Sequence, residues 1–141
     1  MQLPDVNVLV YAHREDTDQH KQSLSWLEAR INSDEAFAIS ELVLAGFLRI
    51  VTHPKIFNPP SKLEDALTFI EQIRSQANCV IVTPQERHWT IFTKLCKQAR
   101  AKGNLVPDAY HAALAIETGS EWITTDQDFS RFAGLKCSLP Q

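Results

Sequence analysis

Short runs of consecutive apolar residues alternate along the chain with longer stretches in which apolar residues recur every three or four positions. The first pattern suits a strand buried on both faces, the second an amphipathic helix. Leu3 to Val10 opens as a strand-like piece and runs into Leu9-Val10-Tyr11-Ala12. Ser23–Ile31 places Leu24, Leu27 and Ile31 at helical spacing, with Trp26 beside them. Ala36-Phe37-Ala38-Ile39 predicts a short buried strand, and Glu41–Val51 a helix apolar on nearly every side. Ser61-Lys62-Leu63-Glu64 has the capping-box pattern, a Ser at N-cap with Glu three residues later, and predicts a helix running through Leu67, Phe69, Ile70 and Ile73. Cys79-Val80-Ile81-Val82-Thr83 predicts a strand covered on both faces. A helix is predicted from about Gln85 to Lys102, closed by Gly103, and another over Pro107–Thr118, with proline in its first turn and Gly119 after its last. Trp122-Ile123-Thr124 reads as a strand, Gln127–Phe132 as a short helix and Leu135–Leu139 as an edge strand. Strands alternating with helices indicate an α/β sandwich around a mostly parallel sheet. No linker or repeat divides the chain, so its 141 residues are expected to form one domain, 1–141.

Composition narrows the function classes. Lys plus Arg number 14 against 17 Asp plus Glu, a net charge of -3. Binding of nucleic acid by bulk positive charge is therefore excluded, and any such contact must be local. The three cysteines include no C-x-x-C pair, which argues against a zinc site or a disulfide framework. No glycine-rich phosphate loop occurs. Apolar runs fall far short of the ~20 residues a membrane helix needs. The N-terminus has no basic segment before an apolar one, so a cytoplasmic protein without membrane association is expected.

Most acids sit at helix starts or on polar faces, but four stand where acids are awkward. Asp5 ends the first strand, Glu41 follows the second, Asp108 opens the Ala-rich helix and Asp126 follows the Trp122 strand. In a parallel sheet, strand C-terminal ends and adjoining helix starts share one edge, where ligands bind. Asp108 and Glu41 could instead be simple helix-start acids, favoured there by the macrodipole. If all four converge, their repulsion must be relieved by protons or a cation. All-oxygen donors select a hard ion, Mg²⁺ or Mn²⁺, able to activate water beside a phosphodiester.

Four segments in order resemble a known family. Asp5-Val6-Asn7-Val8-Leu9-Val10-Tyr11-Ala12, Ser40-Glu41-Leu42, Val106-Pro107-Asp108-Ala109-Tyr110-His111-Ala112-Ala113-Leu114-Ala115 and Ile123-Thr124-Thr125-Asp126-Gln127-Asp128-Phe129 are similar to the motifs of PIN-domain ribonucleases. Among these, the chain most resembles VapC-type toxins of bacterial toxin–antitoxin pairs. The resemblance implies a three-layer α/β/α sandwich and an Mg²⁺- or Mn²⁺-dependent endoribonuclease that leaves a 5′-phosphate and a 3′-hydroxyl. It implies Asp5, Glu41, Asp108 and Asp126 as the catalytic quartet, with Asp5, Asp108 and Asp126 as metal ligands. Asn7 and Thr124 match supporting polar positions, and Asp128 is a further outer acid. The implied partners are RNA, a VapB-like antitoxin and a second copy of the chain. Pro4 departs from the pattern, because it removes a backbone donor next to Asp5.

Arg14 and Arg49 follow the first two motifs and are candidate phosphate contacts, since guanidinium grips phosphate in bidentate fashion. His111, three residues after Asp108, shares a helix face with it and is a third candidate RNA contact; a packed imidazole is the plainer reading. The apolar excess on the Ser23–Ile31 and Leu42–Val51 helices suggests that a dimer partner and an antitoxin cover them. Competing functions are a phosphotransfer or phosphatase domain, a PIN-fold RNA-processing nuclease that is no toxin, and a non-catalytic RNA-binding domain. The first is disfavoured. Thr83-Pro84 follows the central strand where a receiver needs an acceptor Asp, and Asp5-Val6-Asn7 lacks the second acid of an Asp-x-Asp phosphatase.

Overall fold

The computed structural model describes residues 1–141. Five short strands alternate with six helices: β1 Gln2–Pro4, α1 Val6–His13, α2 His20–Ile31, β2 Phe37–Ser40, α3 Glu41–Val51, α4 Leu63–Arg74, β3 Cys79–Val82, α5 His88–Ala99, α6 Leu105–Thr118, β4 Glu121–Ile123 and β5 Cys137–Ser138. A 3-10 turn over Gln127–Arg131 joins β4 to β5. Every strand pair is parallel. One ladder runs β1-β4-β5, the other β2-β3, and the two abut where β1 packs beside β2. This is the α/β class that the alternating pattern predicts.

One hydrophobic core joins both ladders and the helices around them. Leu3, Phe37, Ile39, Phe47, Trp122 and Ile123 are almost wholly out of water. Trp26 belongs to the core, and its indole N–H donates to the Gln2 side chain at 2.9 Å. Phe47 stacks on Phe69 at 5.2 Å and meets the His13 ring edge-on at 5.4 Å, which clamps α1, α3 and α4 together. Gly46 lies inside α3, where glycine costs roughly 0.5–1 kcal/mol relative to alanine. Its place is explained by close approach: a Cβ there would stand 3.0 Å from Val6 Cγ2 of α1.

Several local expectations need correction. Ser61 does not cap α4. Its hydroxyl pairs with His13 Nε2 at 3.0 Å and accepts from Arg14 Nη1 at 3.2 Å, while Lys62 takes the cap position. The tertiary tie to α1 outcompetes the local box. Helix α5 stops at Ala99 because Arg100, not Gly103, adopts the left-handed conformation that ends it. Strand β3 is the outer strand of its ladder and leaves Val80 exposed, so its apolar run does not mean cover on both faces. Helix α3 is not in want of cover on all sides: Val43, Leu44, Phe47 and Val51 are buried within the chain, and of its large apolar side chains only Leu42 is exposed, at 47%. On α2, Trp26 and Leu27 are buried and no large apolar side chain is exposed.

Phe47 makes the core testable. Phe47→Ala should destabilise the chain by about 3–5 kcal/mol, the usual cost of truncating a fully buried phenylalanine. The denaturation midpoint in urea should fall, with little change in the slope. An unaltered midpoint would mean that the three-ring cluster does not hold the helices.

Candidate active site

The site begins where β1 and β4 end side by side. The Asp5 backbone N–H donates to the Ile123 carbonyl at 2.8 Å, and the Glu121 N–H donates to the Met1 carbonyl at 2.8 Å. These bonds flank Pro4, so its missing donor does not break the ladder to β4. The chain then turns into α1 with Asp5 as N-cap. One Asp5 oxygen, Oδ1, accepts from the Val6 N–H at 2.6 Å, and the other, Oδ2, accepts from the Thr124 hydroxyl at 2.7 Å. Thr124 Oγ1 in turn accepts from the Asp126 N–H at 3.0 Å, and Asp126 Oδ1 accepts from the Asp128 N–H at 2.9 Å. A continuous chain of hydrogen bonds thus fixes the end of β1 to the loop after β4. Thr124 has the supporting geometry expected of it.

Asp108 enters from the first turn of α6, after Pro107. Asp5, Asp108 and Asp126 line one cleft of ≈ 620 Å³, together with Asn7, Arg49 and His111. Asp5 is only 7% exposed, and burial pushes its carboxyl above the usual 3.8, with Asp126 adding to the rise. Asp108 is pushed up to about 6, first by burial, then by the charges of Asp126, Asp5 and Asp128. Burial first, and the neighbouring carboxylates after it, thus disfavour the ionised form of Asp108. Burial also lowers the His111 imidazole to about 4, so the ring is neutral near pH 7. It stacks on Trp122 at 5.4 Å, and its Nδ1 is buried without a hydrogen-bond partner.

Two expected site residues are elsewhere. Glu41 is not in the cleft: its side chain is 59% exposed and accepts from Arg74 Nη1 at 2.9 Å. Leu42, Ala45, Gly46 and Arg49 of α3 line the cleft, whereas Glu41, one turn before Ala45, turns its carboxylate to Arg74 of α4. Arg14 also lies away from the acids. It pairs with Asp16 at 2.6 Å, donates to the Pro59 carbonyl at 3.0 Å and covers the Phe57 ring, so it secures the loop before α4. Arg49, by contrast, lines the cleft and is exposed with no ion-pair partner. Asp128 sits at the periphery, 4.0 Å from Arg131. Asn104 and Gly46 were not anticipated as cleft residues. Reading the face of α3 from Leu42 through Arg49 would have found Gly46; Asn104, in a polar loop before α6, carries no such signal.

The donor set suits a hard divalent cation. It is all oxygen, and the charge repulsion on Asp108 is what a cation would relieve. No three His, Cys, Asp or Glu side chains stand close enough to form a complete ligand cage. Mg²⁺ does not require one, since it is commonly held by one or two carboxylates and keeps several waters.

The raised Asp108 pKa fixes a sign. Its folded value lies above its unfolded value, so ionisation costs stability; the penalty is absent below about 3.8, grows toward about 6 and is complete above it. Without metal, Asp108→Asn should therefore raise the melting temperature at pH 7.5 and leave it nearly unchanged at pH 4. An equal effect at both pH values would contradict the raised pKa.

Residues 3–135 match the family described as PIN domain. Ribonuclease VapC25 of Mycobacterium tuberculosis is 39% identical over 140 residues, covering 99% of both chains. VapC ribonuclease Mb2897 of Mycobacterium bovis is 38% identical over 136 residues, covering 96% of this chain and 92% of the relative. Among solved structures, VapBC2 from Rickettsia felis, bound to a DNA fragment from its promoter, superposes with a TM-score of 0.71 at 20% identity, covering 99% of this chain and 98% of that one. The three-layer sandwich is thus the PIN fold, and by the extent of the family match and of the two ribonuclease relatives, the chain belongs to the PIN-domain family and to the VapC group within it.

Proposed function

We propose that the chain is an endoribonuclease and the toxin of a VapBC-type pair, hydrolysing RNA phosphodiester bonds at the cleft of Asp5, Asp108 and Asp126. The observation that carries this reading is the meeting of three aspartates from three distant segments beside an unpaired arginine. The relatives named as VapC ribonucleases support the same activity. Asp5, Asp108 and Asp126 would hold Mg²⁺ or Mn²⁺, which supplies an activated water and stabilises charge on the phosphate. Thr124 and the Val6 N–H hold both oxygens of Asp5, so that carboxylate is oriented before substrate arrives. Arg49 provides a guanidinium for a phosphate oxygen at the rim. Neutral His111 and the carboxamide of Asn7 offer uncharged hydrogen-bonding groups in the same cleft.

A second copy of the chain and a VapB-like antitoxin are the proposed protein partners. The exposed apolar positions bear on where they bind. Leu42 of α3 and Leu63 and Leu67 of α4 are exposed, whereas α2 offers no large apolar side chain. These exposed leucines favour a partner surface that includes α3 and α4 over one on α2.

Purified protein should cleave single-stranded RNA with Mg²⁺ or Mn²⁺ and lose that activity in EDTA. Asp126→Asn should reduce the rate by about 10²-fold or more, as loss of a ligand to a metal ion that stabilises phosphate charge by several kcal/mol requires. Glu41→Gln should cleave like the wild type, because Glu41 lies outside the cleft. Cleavage that persists in EDTA, or is lost in Glu41→Gln with the fold intact, would overturn the assignment.

A further inference from the structure

Next to the acidic cleft lies a second cavity of ≈ 350 Å³, bounded by the loop after β4, the 3-10 turn and β5. It shares Asp126 with the cleft, so whatever fills it sits beside the reacting phosphate. Its volume falls at the lower end of the ~300–1,000 Å³ range of small-molecule sites. Leu139 and Cys137 give it an apolar wall, and Gln127, Ser130 and Ser138 a polar one.

The chemistry of the lining restricts the ligand. No Lys, Arg or His lines the cavity, and the Asp126 carboxylate at the shared boundary repels anions, so a phosphate is not its occupant. The serine hydroxyls are already donating, Ser130 to the Gln127 carbonyl at 2.8 Å and Ser138 to Glu121 at 3.1 Å. The Gln127 carboxamide is exposed and makes no hydrogen bond within the chain. A free carboxamide presents donor and acceptor side by side, the pairing that reads the edge of a nucleobase. A neutral ligand with an apolar face and a hydrogen-bonding edge fits this lining.

We infer that this cavity is a base-recognition subsite, taking the nucleobase of one nucleotide that flanks the scissile phosphate, with Gln127 reading its edge. The inference rests on the ribonuclease reading above. It separates two tasks within one stretch of chain: Asp126 serves the phosphate, and the next residue selects the base.

The test uses the full chain with Mg²⁺ and a pool of single-stranded RNAs of randomised sequence, with the cut ends sequenced. The wild type should show a nucleotide bias at one position adjacent to the cut. Gln127→Ala should weaken that bias by about tenfold, within the discrimination of one bidentate contact. Gln127 is exposed, so the variant keeps its fold. Cys137 gives a second readout as the one exposed cysteine, with Cys79 and Cys96 partly buried as internal references. In the Asp5→Asn variant, a single-stranded RNA 12-mer should protect Cys137 from iodoacetamide. A wild type that cuts RNA without adjacent bias, a bias unaltered in Gln127→Ala, or a Cys137 left unprotected by RNA would each overturn the subsite. Protection of Cys137 by the purified antitoxin and not by RNA would overturn it too, assigning the cavity to a protein segment. A wild type that cuts no RNA would overturn the ribonuclease reading itself, and the subsite with it.

Discussion

The hydrogen bond from Thr124 to Asp5, 2.7 Å long and buried, is the constraint on which the site depends. It ties the end of β1 to the end of β4, two strands separated by almost the whole sequence. The Asp5 N–H to Ile123 carbonyl bond sets the register that brings them together. Once Asp5 is fixed, the same threonine oxygen positions the Asp126 backbone, and α6 delivers Asp108 to the remaining side. Three carboxylates then occupy a partly dry cleft at a cost visible in the raised Asp5 and Asp108 pKa values. A fold accepts such repulsion where function needs the charge, and the cost stays modest because Thr124 and the Val6 N–H satisfy both oxygens of the most buried acid.

Much of this was legible in the sequence because it is encoded locally. Strand–helix alternation gave the class, Pro107 and Gly119 bracketed α6, and the acids of the first, third and fourth segments fall at strand ends and a helix start. Parallel topology then brings such ends to one edge without further information. What was not legible is competition between partners. Glu41 stands at the start of α3, and its carboxylate is engaged by Arg74 of α4. Ser61 has a capping-box neighbour but spends its hydroxyl on His13 and Arg14, which come from another part of the chain. Arg14 and Arg49 look alike as motif-flanking arginines. Only the packed structure separates the one that fastens a loop from the one that faces the cleft unpaired.

Helix α3 connects these observations. Its buried side carries Val43 and Phe47 into the core, and Gly46 lets it approach Val6 of α1 closely enough to form one wall of the cleft. Arg49 reaches the rim from the same stripe. The cleft therefore has acid on the β1, β4 and α6 sides and a lone cation on the α3 side, an arrangement suited to a phosphate held between a metal ion and a guanidinium.

The central claim is that Asp5, Asp108 and Asp126, without Glu41, form a site for a hard divalent cation. Titration of Mn²⁺ followed by electron paramagnetic resonance tests it directly, since bound and free ions differ in signal. Wild type and Glu41→Gln should bind Mn²⁺ with the same affinity, and Asp108→Asn should bind it far more weakly. Equal binding by Asp108→Asn and wild type, or loss of binding in Glu41→Gln, would contradict the account.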